Sequence, residues 1–225
     1  KSMKIPIDSV NYWSKCLYRA EGIFETDQSI EAVNQTKEVL RAYIDKTMVP
    51  ITPYGDEYHT ELDSILHPGM SVLELGCGVG AHSYYMQKKG AIVTACDIVP
   101  YNILVVRRMI EPEGTGVLLT SYNVLDSLGQ FDLIFSHGCL HHIQPDCIQY
   151  VIDKLIERTR IGSKILIMVY TDFFYPFPNK HPEGPYTRGY TVPVAQALFG
   201  PLFKCVSCRL YMNNCFMWVL YERIE

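Results

Sequence analysis

The stretch that most constrains the fold is residues 72–80, where a short apolar run ends on an acid and then meets glycines at alternate positions. The glycines are Gly76, Gly78 and Gly80. This pattern predicts a buried strand that breaks into a tight turn and continues as a helix from about Ala81. Because glycine tolerates positive φ and has no side chain, a ligand can approach the backbone N–H groups of such a turn closely. The N-terminus of the helix adds its positive dipole at the same place.

Two acidic residues indicate which class of ligand the glycine turn binds. The spacing of Gly76, Gly78 and Ala81 also satisfies the loose dinucleotide fingerprint, so an NAD-binding protein stays open at this point. Asp97 ends the next predicted strand, about 20 residues after the loop, where a carboxylate suits the hydroxyls of a ribose. Glu74 stands two residues before the first glycine, where it would repel a pyrophosphate and attract an ammonium group.

This combination resembles motif I of the class I S-adenosylmethionine (SAM) dependent methyltransferases. The resemblance extends to the small-molecule and sugar O-methyltransferases, the type 11-like group. It implies that SAM is the cofactor and S-adenosylhomocysteine the product, with Glu74 near the methionine amino group and Asp97 on the ribose. The cofactor-binding residues implied around the loop are Glu74, Gly76, Cys77, Gly78, Gly80, Asp97 and Ile98.

Composition favours one globular domain over residues 1–225, because 48% of the residues are hydrophobic and only 20% are charged. The formal net charge of -4 argues against nucleic acid as the main partner. No apolar run reaches the roughly 18 residues of a membrane span, and the start lacks a secretion signal. We therefore expect a soluble, cytoplasmic protein. Lys1 stands where a methionine would begin a complete chain, which is compatible with one domain of a larger polypeptide.

The eight cysteines do not amount to a dense disulfide framework in a chain of this length. Cys205 and Cys208 have the spacing of half a zinc site, but no second pair follows them. Residues three apart on a strand are expected to face opposite sides of the sheet, so we predict no structural metal there. The use of a divalent ion in catalysis stays open, because some of the sugar methyltransferases that the chain resembles employ one.

From residue 71 onwards, strand and helix patterns alternate as a doubly wound α/β sheet requires. The predicted strands are 71–75, 91–97, 116–122, 131–136 and 164–170, and the predicted helices are 80–89, 100–110 and 146–160, the last between an Asp146 N-cap and Gly162. Two more strands, 203–212 and 215–223, flank Asn213 and Asn214 and predict a tight antiparallel hairpin. We therefore expect a Rossmann-like, seven-stranded sheet with an antiparallel C-terminal hairpin strand, which is the class I methyltransferase architecture, over residues 69–225.

Two segments outside this alternation are predicted to cover the site. Residues 1–68 form an N-terminal helical cap, with Tyr12 and Trp13 in an aromatic cluster and a helix that begins after Thr26 or Asp27. In the methyltransferases that the chain resembles, such an extension closes over the cofactor, although helices that only cover a sheet edge would show the same pattern. Residues 171–190 are rich in proline and aromatic residues and lack periodicity, which predicts a lid over the substrate.

Candidate catalytic residues follow the fourth predicted strand, at the sheet edge where open α/β folds bind ligands. The stretch resembles a motif in which a Leu-His-His sequence precedes the next helix. In sugar O-methyltransferases with this motif, the histidines are proposed bases and an acid after strand five assists them. The resemblance implies this role for His141 and His142, with Asp172 as the nearest match to the acid, displaced by a few residues. In other relatives, a histidine at the position of His142 only fixes the loop.

The remaining cofactor contacts are expected after strands three and four. Relatives often place an aspartate after strand three that receives the adenine amino group, and Asn123 can accept that hydrogen bond through its amide oxygen. Val124 is expected beside the adenine. Ser136 and His137 are expected to line the cofactor pocket.

A hydroxyl acceptor must lose a proton, so a histidine pair suits an oxygen methyltransferase. The aromatic faces and polar groups of the predicted lid suit a sugar. We therefore expect methyl transfer to a hydroxyl of a sugar or glycan, for example a deoxyhexose such as rhamnose. The alternatives are a methyltransferase for another small molecule, RNA or protein, an NAD-binding oxidoreductase, and an inactive methyltransferase-like binding module.

Overall fold

A computed structural model describes residues 3–20, 29–50, 59–174, 179–180 and 186–225. The predicted helix caps Thr26 and Asp27 and the lid residues 175–178 and 181–185 lie outside the described residues. The chain divides into two compact units. The N-terminal unit is Pro6–Leu119, and the C-terminal unit is Thr120–Glu225 together with the start of the chain up to Ile5. Whether the whole chain is one domain stays a prediction.

The N-terminal unit alternates helices with parallel strands. Its strands run in the order β3-β2-β1, and the apolar side chains of β1 are buried on both faces, as expected of a parallel sheet. The elements are α1 (Ile7–Ala20), α2 (Ile30–Thr47), α3 (His59–Ile65), β1 (Ser71–Leu75), α4 (Ala81–Lys88), β2 (Ile92–Asp97), α5 (Pro100–Ile110) and β3 (Thr115–Leu118).

Helix α2 packs on α5. A buried hydrogen bond of 3.0 Å joins the hydroxyl groups of Thr36 and Tyr101 across this contact. The predicted N-cap, Thr26 or Asp27, was wrong: the helix begins after Ser29, whose side chain accepts a hydrogen bond from the Ala32 N–H and so acts as the N-cap. The fully buried residues of the apolar face are Val33, Leu40 and Ile44.

The C-terminal unit contains the rest of the sheet, in the order β4-β5-β9-β8. Strand β9 pairs antiparallel with both β5 and β8. The elements are a 3-10 helix (Tyr122–Ser127), β4 (Leu133–His137), a second 3-10 helix (Leu140–His142), α6 (Pro145–Glu157), β5 (Lys164–Tyr170), β6 (Asn179–Lys180), β7 (Tyr186–Thr187), α7 (Val192–Gln196), β8 (Phe203–Tyr211) and β9 (Phe216–Arg223). Seven strands thus form a mixed sheet, which confirms the predicted Rossmann-like fold with its antiparallel C-terminal hairpin.

The turn between β8 and β9 confirms the predicted hairpin and shows how it closes. Met212, Asn213 and Asn214 follow one another in the left-handed region, with φ of 49°, 54° and 66°. Asparagine tolerates this conformation better than most residues, which explains the pair at the tip. Met212 adopts it as well, so the turn is longer than the two asparagines alone would give.

The structure corrects three of the predicted boundaries. The third strand ends at Leu118 rather than at residue 122, and the chain enters a 3-10 helix at Tyr122. Helix α6 is preceded by Gln144 as N-cap rather than Asp146, because Pro145 occupies its first turn, where a fixed φ favours helix initiation. The same helix ends at Glu157, so Gly162 lies in a separate turn before β5.

Candidate functional site

The glycine turn joins β1 to α4 in the N-terminal unit. Gly76, Gly78 and Gly80 all have positive φ, at 77°, 53° and 88°, so these positions use the conformational freedom of glycine as predicted. A Cβ atom on Gly80 would lie 2.5 Å from Cγ2 of Val106, so helix α5 leaves no room for a side chain there. The Gly76 N–H donates to the Cys96 carbonyl at 2.8 Å, which ties the turn to β2.

Asp97, at the carboxyl end of β2, holds the turn from the other side. Its Oδ2 accepts a hydrogen bond from the Gly78 N–H at 2.8 Å. Its Oδ1 accepts from the Val99 N–H at 2.8 Å and from the Asn102 side chain at 3.2 Å. The carboxylate is therefore fixed in orientation between the glycine turn and the start of α5.

The same carboxylate is only 7% exposed. Burial raises the pKa of Asp97 to about 6, although its hydrogen bonds to Val99, Gly78 and Asn102 oppose the shift. The backbone of Ile98 also stabilises the ionised form through a hydrogen bond. The carboxylate lies at the carboxyl edge of β2, where a ligand hydroxyl is predicted to bind.

Glu74 lies beneath the turn rather than on its surface, with 1% exposure. The Ser83 hydroxyl of α4 donates a hydrogen bond to its Oε2, and His82 Nδ1 lies 3.9 Å from its Oε1. Burial raises the pKa of Glu74 to about 8, and the charge of Asp97 adds to this, while the Ser83 hydrogen bond opposes it. Without a cation beside it, Glu74 is mostly protonated at neutral pH. Its contact with a ligand ammonium group stays a prediction.

Four other predicted cofactor residues lie in this unit. Cys77 is buried in the turn, and burial raises the pKa of its thiol well above the usual range. Ile98 is half-buried directly after Asp97. Tyr12 and Trp13 lie on α1, both half-buried, with perpendicular rings whose centroids are 5.2 Å apart.

Asn123 lies in the C-terminal unit, on the 3-10 helix that follows β3. Its amide oxygen accepts a hydrogen bond from the Met3 N–H at 2.7 Å, and its amide nitrogen donates to the Tyr150 hydroxyl at 2.8 Å. The side chain therefore holds the segment around Met3. Its amide oxygen makes this contact in place of the predicted hydrogen bond to an adenine. Val124, next to it, is half-buried.

Strand β4 carries two more predicted residues at its carboxyl end. Ser136 is completely buried within the strand. His137 ends the strand and is half-buried, with its ring tilted against Trp218 of β9 at a centroid distance of 5.5 Å. Their predicted contact with a cofactor stays a prediction.

The structure brings His141 and His142 together on a short 3-10 helix, with ring centroids 4.2 Å apart. His141 is completely buried and stacks on Tyr170 at 3.7 Å. Its Nδ1 accepts the Tyr170 N–H at 3.4 Å, so the neutral ring carries its proton on Nε2. Burial lowers the pKa of His141 well below its usual range, and the neighbouring histidines add to this. The neutral ring of His141 therefore offers a hydrogen-bond donor at Nε2, and its lone pair is engaged by the Tyr170 N–H.

His142 has the opposite arrangement. Its Nδ1 lies 2.9 Å from the Thr187 hydroxyl and 3.3 Å from the Tyr186 carbonyl, both on β7. Because a carbonyl only accepts, this contact favours a proton on Nδ1 and a lone pair on Nε2. Burial lowers the pKa of His142 to about 4, against the effect of the Tyr186 carbonyl. The ring is therefore neutral at pH 7, with Nε2 as the atom that can accept a proton.

The predicted catalytic acid does not join the histidines. Asp172 lies in the turn after β5 with an exposed side chain, and its backbone N–H donates to the Tyr190 carbonyl at 3.1 Å. Across the described ranges, no hydrogen bond or ion pair connects its carboxylate to a histidine. The lid residues Phe173 and Phe174 beside it are exposed, and Phe174 contacts Tyr170 edge-on at 5.3 Å.

The geometric premise used for Cys205 and Cys208 was wrong. A β-bulge between Cys205 and Ser207 adds a residue to β8, so the two cysteines pair with Tyr221 and Val219, two positions apart on β9. They consequently face the same side of the sheet.

Within the described part of the chain, no group of three or more potential metal ligands comes together. No helix of this part is long and apolar enough to cross a membrane.

Three residues escaped the sequence reasoning. Ser83 contacts Glu74, Asn102 contacts Asp97, and Thr187 contacts His142. Helical spacing could have indicated the first two, because each lies in the helix that directly follows its acid. No local pattern indicates Thr187, which is 45 residues from its partner.

Comparison with known proteins agrees with this geometry. The family described as "Methyltransferase domain" matches residues 72–162. Magnesium-protoporphyrin O-methyltransferase of Rhodobacter capsulatus is 30% identical over 113 residues, which cover 48% of this chain and 50% of the relative. A tRNA U34 carboxymethyltransferase of Cronobacter sakazakii is 25% identical over 188 residues, covering 75% of this chain and 58% of the relative. The chain thus spans about half the length of these curated relatives.

A solved structure extends the likeness of the fold over most of the chain. Magnesium protoporphyrin IX methyltransferase from Synechocystis PCC 6803, solved with bound SAM, superposes with a TM-score of 0.58 at 14% identity. The match covers 95% of this chain and 94% of that one. At this identity the likeness concerns the fold alone.

The raised pKa of Glu74 leads to a prediction about stability. Its folded value of about 8 exceeds the unfolded value of 4.5, so the stabilising contribution is complete below pH 4.5 and is lost as the pH rises through 8. Glu74→Gln keeps an acceptor for Ser83 without the charge. The variant should therefore exceed the original in free energy of unfolding at pH 8, by on the order of 2 to 5 kcal/mol.

Urea unfolding at pH 5, 6 and 8 measures this difference. The pKa of Asp97 is also raised, to about 6, and Asp97 is present in both proteins. The difference in unfolding free energy between the two proteins above pH 6 therefore reports on Glu74. Glu113→Gln, a change of an exposed carboxylate, is the control and should leave the pH dependence unchanged. Equal slopes for the original and the Glu74 variant between pH 6 and 8 would contradict the prediction.

Proposed function

We propose, from the membership of residues 72–162 in the methyltransferase domain family and the class I SAM-dependent methyltransferase fold of the chain, that this protein transfers a methyl group from SAM to an acceptor. The observation that carries the proposal is the buried carboxylate of Asp97, fixed by three hydrogen bonds beside a turn of three positive-φ glycines. The bound SAM of the Synechocystis structure and the O-methyltransferase name of the Rhodobacter relative support it.

The residues of the N-terminal unit fit this cofactor chemically. Asp97 is a carboxylate at a strand end, the group that suits the hydroxyls of a ribose, and the three glycines of the turn have no side chains that would keep a ligand from the backbone there. Glu74 is a buried carboxyl that an ammonium group would bring to its ionised form, with release of a proton. An NAD pyrophosphate gives Glu74 no such partner, which disfavours the oxidoreductase alternative.

Catalysis needs little covalent chemistry from the protein. When bound, SAM supplies a methyl carbon on a positively charged sulfur, whose bond to that carbon breaks as the acceptor attacks in line. The chain's task is to hold the acceptor in position and to remove its proton. An acceptor hydroxyl that forms the new oxygen–carbon bond would pass its proton to Nε2 of His142.

His142 is the better candidate for this base. Its Nδ1 faces the Tyr186 carbonyl and the Thr187 hydroxyl, so the neutral ring carries its proton on Nδ1 and its lone pair on Nε2. His141 holds its lone pair against the Tyr170 N–H and offers only an Nε2–H, which has no partner among the described residues. In this proposal His141 donates a hydrogen bond while His142 accepts the proton, and Asp172 contributes through the lid rather than through the histidines.

For the acceptor, we propose a hydroxyl of a sugar or glycan. The base supports oxygen as the accepting atom, and the exposed aromatic rings of Phe173 and Phe174 offer faces on which a pyranose can lie. The net charge of -4 disfavours nucleic acid, although one relative is named for tRNA. Porphyrin chemistry, named for another relative, is the main competing class.

The first test of the function concerns cofactor binding. Asp97→Ala should weaken SAM binding by about 1 to 3 kcal/mol, because a ribose hydroxyl loses its charged acceptor. Isothermal titration with SAM, S-adenosylhomocysteine and NADH measures this. Asp153→Ala, which removes an exposed carboxylate on α6, is the matched control and should bind SAM like the original protein. Binding of NADH without binding of SAM would overturn the cofactor assignment.

A second test separates the two histidines. His142→Gln should lower kcat by about 10²-fold or more with unchanged SAM affinity, because the proton acceptor is lost. His141→Gln should reduce kcat less, since that residue only donates. Single-turnover rates and SAM titrations on both variants decide between them. An unaltered rate in His142→Gln, with an intact fold, would remove it as the base.

A third test identifies the acceptor. Methyl-labelled SAM is incubated with separate pools of glycans, porphyrins and small phenols, nucleic acids and proteins, each with and without a chelator. We expect label in the glycan pool. Label in nucleic acid or protein alone would defeat the sugar proposal and leave methyl transfer standing, and loss of label with the chelator would show that a divalent ion takes part.

A further inference from the structure

Helix α5 places one polar side chain against the Asp97 carboxylate. Asn102 lies in the first turn of this helix and is only 1% exposed. Its Nδ2 donates a hydrogen bond to Asp97 Oδ1 at 3.2 Å. The other buried residues of α5 are apolar or aromatic. A buried amide in such surroundings costs stability unless it is hydrogen-bonded, so packing alone does not account for an asparagine at this position.

The other donors to this carboxylate belong to the backbone. The Gly78 N–H donates to Oδ2 and the Val99 N–H to Oδ1, each at 2.8 Å, and the backbone of Ile98 contributes as well. Both oxygens therefore face N–H donors, an arrangement that stabilises the ionised form of the acid. Asn102 adds a donor that comes from a side chain, and a substitution can remove that donor without changing the turn.

We propose that Asn102 is a positioning residue that keeps Asp97 ionised and fixed in orientation, and that it thereby sets the lowest pH at which the protein binds SAM well. The inference rests on the proposed function, in which the Asp97 carboxylate receives the hydroxyls of a ribose. A ribose hydroxyl donates to an ionised carboxylate, whereas a protonated carboxyl group has lost part of its capacity to accept. Asn102 acts on the cofactor through Asp97, not by a contact of its own.

The titration of Asp97 gives this role a direction. Burial raises the pKa of Asp97 to about 6, and its hydrogen bonds, including the one from Asn102, oppose the shift. A variant without the Asn102 donor loses part of this opposition, so its Asp97 should hold a proton up to a higher pH. The fraction of ionised Asp97 then falls most near pH 6 and little at pH 8.

Two further titratable groups lie near this carboxylate, Glu74 on β1 and Cys77 in the glycine turn. Burial raises the pKa of both, to about 8 for Glu74, and the charge of Asp97 adds to the effect. The pKa of the Cys77 thiol lies well above its usual range, so the thiol keeps its proton up to pH 8. Glu74 is present in every protein compared, so the ratio of two affinities at one pH reports on the change at Asn102.

The direct test is ¹³C NMR of the whole protein with labelled aspartate carboxyl groups, titrated without cofactor. The signal of Asp97 is assigned by its absence from Asp97→Asn. Asn102→Leu keeps the number and branching of the side-chain heavy atoms without the donor, and Asn102→Ala removes the amide by truncation. We expect Asp97 to titrate at a higher pH in both variants, and an unchanged midpoint in a folded variant would overturn the inference.

Asn34→Leu makes the same exchange at a half-buried position on α2 and is the matched control. It should leave the Asp97 midpoint where it is in the original protein. If Asn102→Leu does not fold, Asn102→Ala carries the test. Circular dichroism and thermal unfolding establish the folded state of each variant first.

Isothermal titration with SAM then connects the ionisation to the cofactor. Asn102→Leu should bind SAM at least about fivefold more weakly than the original protein at pH 6, and within about twofold of it at pH 8. Asn34→Leu should match the original protein at both pH values. A loss of affinity that is equal at pH 6 and pH 8 would leave Asn102 a packing role only and would contradict the proposal.

Failure of this inference is distinguishable from failure of the proposed function. If the original protein binds no SAM at any pH, the proposed function fails, and the part of the inference that concerns the cofactor fails with it, even if the Asp97 midpoint rises in both variants. If SAM binds and the midpoint stays unchanged in both variants, the role of Asn102 fails while the proposed function stands.

Discussion

The carboxylate of Asp97 is the interaction on which the candidate cofactor site depends. Its hydrogen bonds reach the glycine turn, the residue that begins α5 and the side chain of Asn102. A single buried charge thus fixes the loop after β1 to the loop after β2. The cost of burying it is visible in its raised pKa, and the three donors reduce that cost. The turn is therefore preorganised before any ligand binds, which lowers the entropy that binding must overcome.

Apart from Asp97, three titratable side chains of the candidate site share one property, because burial favours the neutral form of each. Burial raises the pKa of Glu74 and lowers the pKa of His141 and of His142, so the carboxyl group is favoured with its proton and each imidazole with only one. A sulfonium cofactor carries its own positive charge, and a hydroxyl acceptor is neutral until it reacts. Such a reaction suits side chains that are neutral without ligands and change charge when ligands bind. The proposed role of His142 as a base depends on such a change.

The fold and the glycine turn could be predicted because their signals are local. A few neighbouring residues are enough to predict the backbone in these places. The examples are the glycines at alternate positions, the acid at a strand end and the two asparagines in a turn. The parts that sequence reasoning missed depend on distant partners. The amide of Asn123 is engaged by Met3, Nδ1 of His142 contacts Tyr186 and Thr187, and the shared face of Cys205 and Cys208 results from a bulge. No periodicity reveals which residue a buried polar group will find across the chain.

The bulge in β8 has a consequence beyond the two cysteines. Strand β8 ends the sheet, so its outer backbone groups face no neighbouring strand within the sheet order, and an open edge of this kind can pair with the edge of another molecule. A bulge interrupts the regular spacing of donors and acceptors and increases the local twist. A second strand would then find matching partners over only part of the length of β8. We therefore expect the extra residue to hinder edge-to-edge pairing of this sheet with another molecule.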